Sequence, residues 1–120
     1  KAYERLTRGS RERLAELKVV DSAHEQAQNA LGKGGKLRRD PITSVHPLVR
    51  TRPATGENAL YIKPQLARLI VGYEKKSDVL LNFLYHHMAL SQDIQCRVKW
   101  SARSVVVWDN RVTTHSGLVD

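Results

Sequence analysis

Leu6, Leu14 and Leu17 recur among Arg and Glu residues at helical spacing, which predicts an amphipathic helix starting near Thr7 or Ser10 and ending before Asp21. Ser22-Ala23-His24-Glu25 has the spacing of a capping box, and a second short helix is expected from it to Leu31. Gly32, Gly34 and Gly35 break that helix, and residues 32–40 read as a mobile loop. A strand over residues 42–50, interrupted by Pro47, leads to Pro53-Ala54-Thr55-Gly56, which has turn chemistry, and to a returning strand over residues 59–62. Ser77 is placed to cap a helix on which Leu80, Leu81, Leu84 and Met88 form one face to be buried. From Ile94 the period falls to two. Ile94, Cys96, Val98 and Trp100 alternate with Gln95, Arg97 and Lys99, as on a strand with one wet face. Residues 101–104 turn the chain into Val105-Val106-Val107-Trp108, a run expected to form a strand buried on both faces. Helices followed by strands, with one helix between and no internal repeat, predict a mainly β, α+β domain with peripheral helices.

Composition narrows the class. The chain has 120 residues, one domain at most, and its 41% hydrophobic and 27% charged residues are those of a folded chain with a modest core. The apolar stretches, such as residues 105–108 and 69–71, fall far short of the roughly 20 residues a membrane span needs. Cys96 stands alone, so it makes neither an internal disulfide nor a zinc site with a second thiolate. A reducing, cytoplasmic location fits. The sequence starts at Lys1 without an initiator methionine, and the expectation is a piece of a longer protein.

The formal charge of +8 raises the question of nucleic acid, because clustered Lys and Arg neutralise phosphates. Lys33, Lys36, Arg38 and Arg39 do cluster, but in the glycine-rich loop and without interleaved aromatic residues on which bases would stack. That pattern is a solvated loop and argues against nucleic acid. A positive field also suits a small anionic substrate.

Five histidines carry the candidate chemistry: His24, His46, His86, His87 and His115. None begins a His-x-Asp/Glu pair or a His-Glu-x-x-His helix, so the chain by itself holds no complete metal site. His86 and His87 are helix neighbours whose side chains diverge by about 100°. His24 lies in the expected capping box and His46 precedes a proline in a strand, and both read as structural. His115 differs. It ends the polar stretch Trp108-Asp109-Asn110-Arg111-Val112-Thr113-Thr114-His115 at the end of an apolar strand, which is how a rigid scaffold presents a site. On these grounds alone it is either a satisfied structural histidine or a ligand.

Trp108-Asp109-Asn110-Arg111 followed by His115 resembles the distal-histidine motif of the taurine/2,4-dichlorophenoxyacetate dioxygenase family. His46-Pro47-Leu48-Val49-Arg50-Thr51-Arg52-Pro53-Ala54-Thr55-Gly56 resembles a second family segment, His-Pro-Val-Val-Arg-x-His-Pro-x-Thr-Gly. Ala59-Leu60-Tyr61-Ile62, Ile70-Val71-Gly72, Leu80-Leu81-Asn82-Phe83-Leu84 and residues 95–100 then follow in the family's order, with a flavour closest to fungal sulfonate dioxygenases.

The resemblance implies a double-stranded β-helix, or jelly roll, that holds Fe(II) through a His-x-Asp pair and a distal histidine. It implies 2-oxoglutarate as cosubstrate and dioxygen as oxidant. The expected reaction hydroxylates a small anionic substrate, taurine or another alkyl sulfonate first, with release of sulfite. An aryloxyalkanoate or an alkyl sulfate ester comes second. By the same resemblance His115 is the distal metal ligand, Trp108 the aromatic residue at the strand end near the metal, and Leu66 stands where many members place a Phe against the substrate. Arg52 replaces the usual His, Lys63 a common Asn, and the stretch after Gly72 is one residue short. The His-x-Asp pair is expected upstream of Lys1 and the 2-oxoglutarate Arg beyond Asp120, so no residue of this chain is assigned to the cosubstrate. Residues 1–120 are thus expected to be the C-terminal part of a single catalytic domain, inactive alone. Strand edges left open by such a truncation would invite pairing with another chain, a homo-oligomer included. The rival reading is a non-catalytic basic module, derived from the fold, that binds nucleic acid or another anion.

Overall fold

A computed structural model describes residues 1–117. A 3-10 turn at Tyr3–Arg5 leads into helix α1, Arg8–Ala15, whose first turn is capped by Thr7 accepting the backbone N–H of Ser10 at 3.3 Å. α1 ends earlier than its leucine spacing predicts, because Lys18–Ser22 forms strand β1. The β-branched Val19-Val20 pair sits between two partner strands, and that pairing overrides the helical pattern.

Helix α2, His24–Gly32, begins without the expected capping box: Ala23 occupies the cap, and the Ser22 hydroxyl accepts from His24 N–H at 3.4 Å. The Glu25 carboxylate turns away to Arg68, 2.8 Å distant. The glycines do stop the helix. Gly34 N–H donates to the Leu31 carbonyl and Gly35 N–H to that of Ala30, both at 2.9 Å, with Gly34 at φ +77. This is a Schellman motif, and a Cβ on Gly35 would come within 2.8 Å of the Ala30 oxygen, so both positions require glycine.

The expected strand at residues 42–50 divides into β2, Thr43–Pro47, and β3, Val49–Thr51. β2 and β5, Ala67–Ile70, flank β1 in an antiparallel three-stranded sheet, whereas β3 forms a hairpin with β4, Asn58–Leu60. Leu48 is the switch between the two sheets. Its N–H donates to Leu17 O at 2.9 Å, its carbonyl accepts from Tyr61 N–H at 2.7 Å, and its side chain is fully buried. The hairpin loop closes as its residues predict, with Gly56, at φ +71, donating to the Arg52 carbonyl at 2.8 Å.

Helix α3, Ser77–Ala89, packs on β5, with Leu81 and Leu84 buried against Val19, Ile70 and Leu14, and with Leu80 and Met88 at the margin. Ser77 is the first helical residue rather than the cap. Its buried hydroxyl accepts from Ile70 N–H at 2.8 Å and donates to Tyr73 O at 2.9 Å, fastening the helix to the strand beneath it.

The last two expected strands are absent among the described residues. A 3-10 turn at Gln92–Ile94 is followed by irregular chain, with Trp100 63% exposed, Val105 85% and Val107 90%. A strand exists only through hydrogen bonds to a neighbour, and no strand lies beside either run. More described residues therefore lie in α-helix than in strand, where a mainly β chain was expected. The turn between the two runs does form: Ser104 N–H donates to Ser101 O at 3.0 Å, with Arg103 at φ +69. No helix among the described residues is long and apolar enough to cross a membrane.

Candidate functional site

Alternation along the strands decides what stands over the core face of the larger sheet. Val19 pairs with His46 and with Ile70, and Asp21 pairs with Ser44, so one face runs from buried aliphatic residues to a polar end. At that end lies a cleft of about 340 Å³ that contains Leu66. Asp21, His46, Arg50 and Tyr61 supply its polar wall, and Ala23 and Ile42 an apolar one.

His46 is held from several sides. Its Nδ1 lies 3.0 Å from the Pro47 carbonyl oxygen, and its Nε2 lies 2.9 Å from Asp21 Oδ2. The second approach is close without being an aligned hydrogen bond, since His46 Nε2 makes none among the described residues. The ring also meets Tyr61 edge-on, with centroids 4.8 Å apart. Arg50 places its guanidinium 4.6 Å from the centroid of Tyr61, a cation–π contact. Burial and then the Asp21 carboxylate push the Tyr85 phenol up to about 12, while the Arg68 cation acts the other way. Sequence reasoning read His46 as structural and passed over Asp21. Their partnership depends on β1, and the helical leucine pattern concealed that strand.

The second candidate region is the segment ending at His115. Trp108 Nε1 donates to Asn110 Oδ1 at 3.0 Å, and Thr113 Oγ1 donates to Asp109 O at 2.7 Å. Arg111 grips both oxygens of Asp109, from Nε and Nη2, each at 2.9 Å. That side-chain bond, with the Arg111 backbone N–H and the charges of Arg111 and Arg52, lowers the Asp109 carboxyl to about 2. The segment thus coils into a hydrogen-bonded loop and carries His115 back onto the Trp108 ring.

Trp108 stands with His115, and it is Leu66 that lines the cleft. The other histidines are occupied or solvated: His24 contacts the Ser22 hydroxyl, His87 Nε2 lies 2.8 Å from Ala2 O, and His86 is exposed. Among the described residues no three His, Cys, Asp or Glu side chains gather to hold a metal ion. His115 offers one imidazole, and these residues alone do not fit an iron centre, which needs several ligands on one face.

Comparison with known proteins is consistent along the whole chain. The model of the taurine catabolism dioxygenase TauD, TfdA family matches residues 1–118. The α-ketoglutarate-dependent sulfonate dioxygenase of Saccharomyces cerevisiae is 42% identical over 120 residues, which cover 99% of this chain and 29% of the relative. The α-ketoglutarate-dependent dioxygenase cnsP of Penicillium expansum is 37% identical over 123 residues, covering 100% of this chain and 33% of that protein. A taurine dioxygenase crystal structure from Burkholderia xenovorans superposes with a TM-score of 0.72 at 34% identity, over 92% of this chain and 35% of its own. The chain therefore spans about a third of the length of these relatives. A match of this extent, with Trp108 and His115 packed together at the end of the motif that carried the resemblance, shows that the chain belongs to the TauD, TfdA family of α-ketoglutarate-dependent dioxygenases.

Proposed function

We propose that residues 1–120 are the C-terminal part of the catalytic domain of a longer Fe(II)- and 2-oxoglutarate-dependent dioxygenase acting on an alkyl sulfonate, taurine among them, with release of sulfite. The observation that carries this reading is the family match along residues 1–118. The named activity of the yeast relative supports the choice of a sulfonate. His115 is the one metal ligand this chain supplies, and the other ligands and the 2-oxoglutarate arginine come from the rest of the protein. Bound iron would supply the oxidation of 2-oxoglutarate that is coupled to hydroxylation beside the sulfonate. This chain's part is to fix the imidazole on Trp108 and to shape the substrate pocket with Leu66.

The complete fold on this reading is a jelly roll. Residues 94–100 and 105–108 then pair with strands contributed from elsewhere, which accounts for apolar runs of strand-like sequence standing exposed. Beyond Gly35 the loop 32–40 is exposed throughout and irregular, and it is the mobile element of the chain. The test is to supply the full-length protein with Fe(II), 2-oxoglutarate and oxygen and to measure succinate and sulfite across a panel of sulfonates and sulfate esters. Equal amounts of the two products with a sulfonate are expected. Succinate formation that no sulfonate stimulates would remove the substrate assignment.

A further inference from the structure

We propose that residues 36–40 are a processing site, cut by a protease whose specificity pocket takes a basic side chain, and that the domain stays assembled across the cut. Lys33, Lys36, Arg38 and Arg39 crowd into one loop in which every residue from 32 to 40 is exposed. Among the described residues none of the four is paired with a carboxylate, and the backbone of residues 36–41 makes no hydrogen bond. A protease must draw several residues into an extended, unpaired stretch before it can act, and here nothing has to be broken first. The acidic pocket of a trypsin-like protease then takes the Lys or Arg side chain. Water adds across the peptide bond, leaving a carboxylate on the basic residue and an ammonium group on the residue after it.

The flanks confine the cut. Gly35 N–H donates to Ala30 O at 2.9 Å as α2 closes, and the Ile42 carbonyl accepts from Ala23 N–H at 3.1 Å as β2 begins. Lys33 N–H is itself held by the Asn29 carbonyl at 3.3 Å, within the closing turn of the helix. The bonds left free are those after Lys36, Arg38 and Arg39. Exposure alone does not single out this loop, since residues 95–104 are also irregular and hold Arg97, Lys99 and Arg103. Their composition differs. Ile94, Cys96, Val98 and Trp100 alternate with polar residues and so have a face to bury, and on the reading that this run pairs as a strand in the whole protein it is closed to a protease. Residues 33–40 hold Leu37 as their one large apolar side chain and gain nothing from cover.

The topology keeps the pieces together. β1 lies on the N-terminal side of the cut, yet both of its partners, β2 and β5, lie on the other side. Ser22 N–H donates to Leu66 O, Leu48 N–H to Leu17 O and Val71 N–H to Lys18 O, each at 2.9 Å and each across the cut. Leu14 and Val19 share one core with Ile70, Leu81 and Leu84. Separating the pieces would expose that core and the middle of the sheet, whereas the cut itself breaks no packing contact.

The test exposes the folded full-length protein to dilute trypsin and maps the cuts over time by mass spectrometry. The first cut within residues 1–120 should follow Lys36, Arg38 or Arg39, and the two pieces should elute together in native size-exclusion chromatography and part in denaturant. A triple variant, Lys36→Gln with Arg38→Gln and Arg39→Gln, should lose that cut while its circular dichroism is unchanged. Should the triple variant not fold, the wild-type cut map and the native elution decide alone. A first cut after Arg97, Lys99 or Arg103, a loop that survives while helices and strands are digested, or pieces that separate in native buffer overturns the proposal. Sulfite release by the uncut preparation is measured beside it. With that release intact, any of these outcomes rejects the processing site and leaves the proposed function standing.

Discussion

The indole of Trp108 lies 4.5 Å from the imidazole of His115, ring centre to ring centre, with the planes tilted by 58°. Seven residues of chain return to make that contact, and the loop between is tied by the Asp109–Arg111 pair and the Thr113 hydroxyl. A packed ring limits the orientations of the imidazole, which is what a ligand needs if it is not to search for its ion.

In the full-length enzyme, His115→Ala should therefore abolish turnover coupled to substrate oxidation, because an iron site of few protein ligands does not tolerate the loss of one. Succinate and sulfite formed at saturating 2-oxoglutarate are the measurement. Wild-type coupled turnover in the mutant would return His115 to the structural histidines.

Asp109 and Arg111 give a pH prediction. The Asp109 carboxyl is lowered from 3.8 to about 2 in the folded chain, chiefly by the Arg111 side chain. A depressed carboxyl contributes stability that is fully present above the unfolded value and is lost as pH falls from about 4 to about 2. The pair is exposed to solvent, so its effect on global stability is small and should shrink further with salt. A carbon NMR titration should place the Asp109 midpoint near 2 and move it toward 3.8 in Arg111→Gln. An unmoved midpoint would mean that another group holds the charge.

How much of this was legible in the sequence depended on whether a segment's local pattern agreed with its neighbours. The helix with Leu81 and Leu84, the hairpin loop at Gly56 and the glycine stop after α2 rely on local spacing and backbone chemistry, and all three stand where the pattern put them. β1 did not show, because Leu14 and Leu17 continue a helical spacing up to the point where Val19 enters a sheet between two distant segments. With β1 hidden, the approach of His46 to Asp21 was hidden too, since it exists only through the Val19–His46 register. The opposite failure occurred at residues 94–100 and 105–108. Their alternation and β-branching are strand-like, but a strand needs a partner.

Leu66 tests whether the cleft discriminates among substrates. It shares the cleft with Ile42 and Tyr61, so enlarging it to Phe removes volume without removing a charge. A hydrophobic wall alters selectivity by about 1–3 kcal/mol per methylene-sized change, so Leu66→Phe should shift relative kcat/KM between short and long alkyl sulfonates by roughly 10- to 200-fold. Binding of Fe(II) and 2-oxoglutarate, followed by their visible charge-transfer band, should be unchanged. An equal loss for every sulfonate would place Leu66 in the packing of the domain rather than at the substrate.

Residues 1–120 expressed alone should be catalytically silent and marginally folded. Val105 and Val107 stand 85% and 90% exposed, with Trp100 at 63% and Trp108 at 44%, and each large apolar side chain left in water forgoes about 1.5–3 kcal/mol of burial. The edges of β2 and β5, unpaired among the described residues, add backbone donors and acceptors that another chain can satisfy, so concentration-dependent self-association is expected. His115 is one ligand, and among the described residues no cluster supplies the others. Anaerobic titration of this chain with Fe(II) and 2-oxoglutarate should accordingly give no visible charge-transfer band above that of free iron, whereas the full-length protein should show one. Sedimentation across a concentration series would report the association. A well-formed band from residues 1–120, or 2-oxoglutarate turnover above the free-iron background, would show that a complete metal site assembles within this chain and would refute the division of ligands proposed for it.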